Sequence, residues 1–293
     1  MKLLITGASG LLGTKLCETA LRNKHEVYSA YSQHKPVYGT PVELNILNLK
    51  DQQRVLEKTK PEAVIHSAAL TNVDKCELEK ELAWKTNFEA TAHLAQLCKE
   101  RGVFLIYVST DYVFDGKKGM YKENDKPAPI NYYGVTKLEG EQVVKKSDAE
   151  YCVARTSVIY GTIPAAGKTN FALWLLDRLK RKQETKITTD QWNSPTLNTS
   201  LAQMILEILE RKLTGTFHLA GATRLSRYEF ARLLAETFQL NPSPLIPTLS
   251  KEISWVANRP RDSSLDTEKA TLTLERKPMQ ILEALKEMKK DLE

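Results

Sequence analysis

Residues 2–13 read KLLITGASGLLG: an apolar pentapeptide, a turn with glycines at 7, 10 and 13, and the start of an amphipathic segment that runs on to Asn23. An apolar strand that passes through such a turn straight into a helix opens a βαβ unit. Gly7, Gly10 and Gly13 permit in turn a tight reversal, close approach of backbone to a pyrophosphate, and close packing of helix on strand. A helix starting near Gly10 aims its free N–H groups at an anion. The spacing is G-x-x-G-x-x-G rather than G-x-G-x-x-G, but its place between a terminal strand and a helix marks a dinucleotide site. Gly7, Ser9, Gly10, Leu11 and Leu12 are assigned to it.

Outward from this turn, short apolar runs alternate with amphipathic ones, the pattern of parallel strands joined by crossover helices. Strands are predicted over Lys2–Thr6, His25–Tyr31, Ala63–His66, Phe104–Ser109 and Tyr151–Arg155, and helices over Leu11–Asn23, Lys50–Thr59, Trp84–Arg101 and Tyr133–Lys146. The fold class expected is α/β, a doubly wound Rossmann-type parallel sheet. Ligands of such sheets bind beyond the carboxyl ends of the strands, and Gly7, Ala68, Ser109 and Thr110 all stand there. After Arg155 the alternation fades into IYGTIPAAGKTN (159–170), a helix near Phe171–Arg181 and TTDQWNSPT (188–196). Leu201–Arg211 reads as a sheet-packing helix, Gly215–Ala220 as a short strand, and Tyr228–Phe238 and Pro278–Leu292 as terminal helices; NPSPLIP (241–247) must be extended or turning. The domain division expected is a dinucleotide-binding domain over 1–155, with 185–215 packing back onto it, and a smaller C-terminal substrate-binding portion over 156–184 and 216–293.

Composition excludes several classes. With 293 residues, 42% hydrophobic and 27% charged, the chain can bury a core without staples, and no apolar run approaches the roughly 20 residues needed to span a bilayer. The short apolar start lacks the longer hydrophobic region of a secretory signal. Cys17, Cys76, Cys98 and Cys152 form no C-x-x-C pair, which argues against zinc and disulfides and for a reducing cytoplasm. The net charge of +6 is spread over mixed-sign helices such as KCELEKELAWK, so it favours an anionic ligand rather than nucleic acid. His66 and His218 read as buried strand histidines, since nothing nearby completes a metal site. Oligomeric state stays open, and a homodimer is compatible with the sequence.

The chemistry is suggested by Tyr133-Gly134-Val135-Thr136-Lys137, downstream of Ser109-Thr110. On a helix, positions i and i+4 share a face, so Lys137 is expected beside the Tyr133 phenol, favouring the phenolate of a group that ordinarily titrates near 10. Such a tyrosine exchanges protons near neutral pH. Cofactor choice turns on the residues after the second strand, where a carboxylate would bind an unphosphorylated ribose and repel a 2′-phosphate. Residues 28–35, YSAYSQHK, hold no acid. Ser32, His34 and Lys35 are therefore assigned to the 2′-phosphate, and NADPH is expected, with NADH possible. Trp192, Arg259 and Arg261 are candidates to enclose a nucleotide by stacking and charge pairing, with loop bracing as the alternative.

These motifs resemble the extended short-chain dehydrogenase/reductase superfamily, and within it the dTDP-4-dehydrorhamnose reductases. The resemblance runs nearly end to end: GASGLLG, HSAALTNVDKCE (66–77), STDYVFDG (109–116), INYYGVTKLEGE (130–141), ARTSVIYG (154–161), DQWNSPT (190–196), GTFHLAG (215–221) and RPRDSSLD (259–266). It implies that Tyr133 donates a proton to a ketone, that Lys137 tunes it and holds the nicotinamide ribose, and that Thr110 hydrogen-bonds the reacting oxygen. It further implies Asn45 and Ile46 near the adenine, Ala68 and Ala69 along the cofactor channel, and Thr71, Arg155 and Gln191 around the substrate. Asn45 stands where an aspartate is more usual, and Asp262 where a polar amide is common. The physical reading agrees, because a ketone reduced by hydride becomes an alkoxide that needs a proton and a hydrogen-bond donor.

The function expected is NADPH-dependent reduction of the C4 ketone of a dTDP-4-keto-6-deoxy sugar. Dehydratase relatives carry Asp-Glu after the Ser-Thr pair; here Asp111-Tyr112 follows, and Asp111 is left either to assist substrate binding or to brace its loop. The same segments are similar to the regulatory beta subunit of methionine adenosyltransferase, so a non-catalytic nucleotide-binding subunit is the alternative. A nucleotide-sugar epimerase is a third possibility.

Overall fold

Seven parallel strands form the central sheet: β1 (Lys2–Thr6), β2 (Glu26–Tyr31), β3 (Thr40–Glu43), β4 (Ala63–His66), β5 (Phe104–Thr110), β6 (Tyr151–Thr156) and β7 (Gly215–His218), in the order β7-β6-β5-β4-β1-β2-β3. The computed structural model describes residues 1–163 and 169–293, so residues 164–168 of the 159–170 stretch lie outside the described residues.

Continuous apolar runs form the inner strands because both sheet faces are covered. Leu3 and Ile5 of β1 point to one face, where they join Leu16 and Met204, Ile205 and Ile208. Leu4 points to the other, with Val55, Leu56, Leu94 and Val144. The helices Leu11–Arg22 and Asn198–Glu210 cover the first face, and Leu49–Thr59, Ala90–Arg101 and Tyr132–Lys146 the second. Chain order reverses between β1 and β4, so the ends of these neighbours open the crevice in which a doubly wound sheet takes its ligand.

A smaller lobe has its own core of Tyr160, Leu175, Phe230, Leu234 and Leu285. It is built by the helices Phe171–Lys180, Arg227–Thr237 and Ile281–Leu292 and by a parallel pair, Thr185–Thr188 with Leu245–Thr248. The expected division is corrected in two places. Residues 216–218, assigned to the smaller portion, belong with Gly215 to the edge strand of the main sheet, paired in parallel with β6. Thr185–Thr188, assigned to the large domain, pairs inside the small lobe, whereas the Asn198–Glu210 helix does pack on the first helix. Chain order therefore weaves the lobes together.

Two elements depart from the sequence prediction. β3 carries a proline at position 41 and mostly exposed side chains, which suits an edge strand but leaves no apolar signal. The helix predicted over 84–101 is interrupted by a π-helical turn at Lys85–Glu89. That turn aims Asn87 inward, where its amide donates to Leu70 O (3.1 Å) and Thr136 Oγ1 (3.0 Å) and its Oδ1 accepts from Leu70 N (2.8 Å). Turns of this kind recur at functional sites, and this one ties the post-β4 loop to the Tyr132–Lys146 helix.

Candidate active site

The glycine turn has the geometry of an anion cradle. Gly7 adopts φ +67°, and a Cβ there would lie 2.9 Å from Ala68 N, so only glycine lets the loops after β1 and β4 touch. Ser67 Oγ donates to Thr6 O at 2.6 Å and Ala68 N to Thr6 Oγ1 at 3.2 Å, which locks the two strand ends together. Gly10 is the N-cap of the first helix and carries no side-chain cap, leaving the first-turn N–H groups free to bind an anion. These residues fit a dinucleotide pyrophosphate. Ser32, His34 and Lys35 lie together on an exposed loop beyond β2. Asn45 Oδ1 accepts from Leu47 N at 3.1 Å and so shapes its own turn, while Ile46, Ala68 and Ala69 are half-buried and Thr71 is exposed.

Tyr133 and Lys137 both lie on the Tyr132–Lys146 helix, beside the end of β5. Asn131 caps this helix, accepting from Gly134 N at 2.8 Å, and its own amide donates to Asn258 O at 2.9 Å. A Cβ on residue 134 would collide with the Tyr112 carbonyl, so glycine after the tyrosine allows the helix start to rest on the Thr110–Tyr112 turn. Burial pushes the Tyr133 phenol above its usual range, partly countered by the Thr110 hydroxyl facing it. The phenol thus stays protonated at neutral pH, the state an acid needs.

Lys137 corrects one expectation. Its Nζ donates to Val108 O at 2.8 Å and stands 4.0 Å from the Tyr107 ring centroid, facing the end of β5 rather than pairing with the phenol. Burial pulls its ammonium down to about 7, with Glu141 opposing the shift. It does not depress Tyr133; burial dominates both groups.

Asp111 is buried, and its carboxylate accepts from Thr110 Oγ1 (3.0 Å), Ser157 Oγ (2.8 Å) and Ser263 Oγ (2.6 Å). Desolvation raises its pKa against these donors. It braces three segments, the second of the roles considered for it. Arg155 lies in the wall behind the site rather than around a substrate: Nε and Nη2 donate to Glu141 at 2.8 and 2.7 Å. Ser109 Oγ donates to the same carboxylate at 2.7 Å. Gln191 is buried, with Oε1 accepting from Thr188 Oγ1 at 3.2 Å.

Trp192 has the guanidiniums of Arg224 and Arg261 over its ring at 5.1 and 5.7 Å, so a stacking base would share the indole with cations. Asp262 holds Arg224, accepting from Nε at 2.8 Å and Nη2 at 2.6 Å. Arg259 pairs with Asp74 at 2.9 Å, while its Nη1 is buried with no hydrogen-bond partner among the described residues. His66 is held by Thr6 (2.7 Å) and Thr91 (3.1 Å), and burial brings its pKa down to about 3. His218, buried beside Arg155, is likewise brought down to about 4. Both are neutral core residues. Among the described residues no three His, Cys, Asp or Glu side chains cluster to hold a metal, and no helix is long and apolar enough to cross a membrane. Sequence reading gave no role to Asn87, Ser157 or Ser263, which hold the site's loops; Ser157 and Ser263 stand inside ARTSVIYG and RPRDSSLD, but nothing in those segments says what a serine will hydrogen-bond.

Comparison with known proteins bears on this geometry. The RmlD substrate binding domain family matches residues 1–293. The probable low-salt glycan biosynthesis reductase Agl14 of Haloferax volcanii is 34% identical over 89% of this chain and 88% of its own length. Methionine adenosyltransferase 2 subunit beta of Pongo abelii is 31% identical over 92% of this chain and 81% of that protein. Among solved structures, the dTDP-4-dehydrorhamnose reductase of Bacillus anthracis in complex with NADP superimposes with a TM-score of 0.89 at 31% identity, covering 99% of this chain and 100% of that one.

Proposed function

Because the chain belongs to the RmlD substrate binding domain family, we propose that it is an NADPH-dependent reductase of the C4 ketone of a dTDP-4-keto-6-deoxy sugar. The observation that supports this reading is a protonated Tyr133 faced by the Thr110 hydroxyl at the end of β5, with Lys137 one turn further along the same helix and the Gly7 turn at the end of β1 in the same sheet. A reductase relative crystallised with NADP supports the cofactor, as does the acid-free Ser32–Lys35 loop.

The bound nicotinamide supplies the hydride. The chain supplies the rest: the uncapped helix start at Gly10 and the Gly7 turn bind the pyrophosphate, and Ser32, His34 and Lys35 receive the 2′-phosphate. Tyr133 passes its Oη proton to the oxygen that develops negative charge, while Thr110 steadies that oxygen. A phenolate left in a buried site is costly, and the ammonium form of Lys137, one helical turn away, would offset that charge until Tyr133 regains its proton from solvent. The nucleotide of the substrate falls to Thr71, Gln191, Trp192 and Arg259 between the lobes.

The test is NADPH oxidation with dTDP-4-keto-6-deoxy-L-mannose, with Tyr133→Phe as control. The wild type consumes cofactor and the variant loses most of its rate while still binding NADPH. A second reading, a non-catalytic nucleotide-binding regulatory subunit, is supported by the likeness to methionine adenosyltransferase 2 subunit beta. Cofactor binding without turnover in either protein, on this and related keto-sugars, would select it.

A further inference from the structure

We propose that Asn131 is a positioning residue for proton transfer: its carboxamide joins the start of the helix that carries Tyr133 to the backbone of Asn258, so that docking of the chain's C-terminal segment sets where the phenol stands. This role rests on the reductase reading, and it falls to a residue outside both the glycine turn and the Tyr133–Lys137 step.

Asn131 is buried and is the N-cap of the Tyr132–Lys146 helix. Its Oδ1 accepts from Gly134 N at 2.8 Å, and its Nδ2 donates at 2.9 Å to Asn258 O, a partner 127 positions away. These partners fix the sense of the amide, since a backbone N–H only donates and a carbonyl only accepts. An aspartate caps a helix as well as an asparagine does but brings no donor for the carbonyl, so capping alone does not account for the amide. Tyr133 stands between the cap and Gly134, inside the single turn that Asn131 closes. Two further contacts seat that turn: Tyr132 N donates to Glu77 Oε2 at 3.0 Å, and Gly134 lies against the Tyr112 carbonyl.

The Asn258 carbonyl is itself held in place. Ala257 N donates to Asp74 Oδ1 at 3.0 Å, and Arg259 Nη2 lies 2.9 Å from Asp74 Oδ2, so one carboxylate clasps both neighbours of Asn258. Further along, Asp262 N donates to Gly116 O at 3.0 Å and Ser263 Oγ to Asp111 Oδ2 at 2.6 Å. Residues 257–263 therefore run as a strap from the Val73–Leu78 helix, past the start of the Tyr133 helix, to the turn after β5. At that turn Asp111 also accepts from Thr110 Oγ1 at 3.0 Å. One segment thus bears on the acid through Asn131 and on the hydrogen-bond donor through Asp111, and its docking arranges the two hydroxyls together.

Asn131→Asp, made in the full chain, keeps the size and the cap of the side chain and sets two acceptors face to face where the amide crossed to Asn258. At neutral pH kcat should fall about 10- to 100-fold, as expected for a displaced catalytic group, with NADPH affinity within about threefold of wild type. In cofactor-free protein carrying isotope-labelled tyrosine, the NMR ring resonance of Tyr133, assigned with Tyr133→Phe, should shift while that of Tyr28, on β2, stays in place. A Tyr133 resonance that does not move apart from that of Tyr28 overturns the proposal. So does a kcat within about threefold of wild type, including a loss confined to KM for the nucleotide sugar. If Asn131→Asp does not fold, Asn131→Ser, which still caps the helix but is too short to span to Asn258, is judged by the same two readings. A wild type without turnover on keto-sugars defeats the reductase reading, whereas the Tyr133 resonance still reports whether Asn131 places the phenol.

Discussion

Arg155 grips Glu141 with two parallel hydrogen bonds, 2.8 and 2.7 Å long, where neither side chain is more than 1% exposed. Removing one member strands the other charge in the core. Arg155→Met is expected to lower stability by about 3–5 kcal/mol in urea unfolding, and the double variant with Glu141→Leu to recover most of it. Burial alone would raise the Glu141 carboxyl, but Arg155, Lys145 and Ser109 outweigh it and leave it below its usual range. This contribution is therefore complete above the unfolded carboxyl pKa of about 4.3 and lost as pH falls through the lower folded value. Acid unfolding of the double variant lacks that component.

Tyr133→Phe removes the proton and little else. The expected loss in kcat is about 10²- to 10⁴-fold, the usual worth of a positioned general acid. Fluorescence titration should give wild-type NADPH affinity, and turnover within threefold of wild type would exclude Tyr133 as the donor.

Lys137 is protonated in the unfolded chain up to about pH 10.4 but only up to about 7 when folded. Its burial therefore disfavours folding increasingly as pH falls from about 10 to 7, and by a constant amount below that. Lys137→Met should gain melting temperature relative to wild type over that interval and show a flat difference at lower pH. A difference independent of pH between 7 and 10 contradicts the shift.

At Gly134 the added methyl of alanine meets the Tyr112 carbonyl. Gly134→Ala should displace the helix start carrying Tyr133 and cut kcat by about 100-fold, with a smaller loss in stability than Arg155→Met. Wild-type kcat would show that the turn yields without moving the phenol.

Lys35→Glu tests cofactor choice. Losing a charged contact is worth about 1.5–3 kcal/mol, so the Kd for NADPH should rise about tenfold or more while that for NADH stays the same. Equal weakening of both cofactors would remove this loop from phosphate recognition.

What the linear chain determined is the repeating unit. Apolar periodicity and glycine spacing depend on which side of one element is buried, and burial is written locally, so Lys2–Thr6, Ala63–His66 and the Gly7 turn were legible. The i, i+4 step also placed Tyr133 and Lys137 on one helix. What Lys137 faces was not legible, because Val108 and Tyr107 lie 29 and 30 positions away and reach it only when β5 docks against the helix. Arg155 looked like a substrate contact until its partner appeared in the core. Asp111 meets Ser263 across 152 residues. Periodicity records one element's own surroundings; a hydrogen bond or ion pair depends on where a second element arrives, and that is decided by the packing of the whole chain.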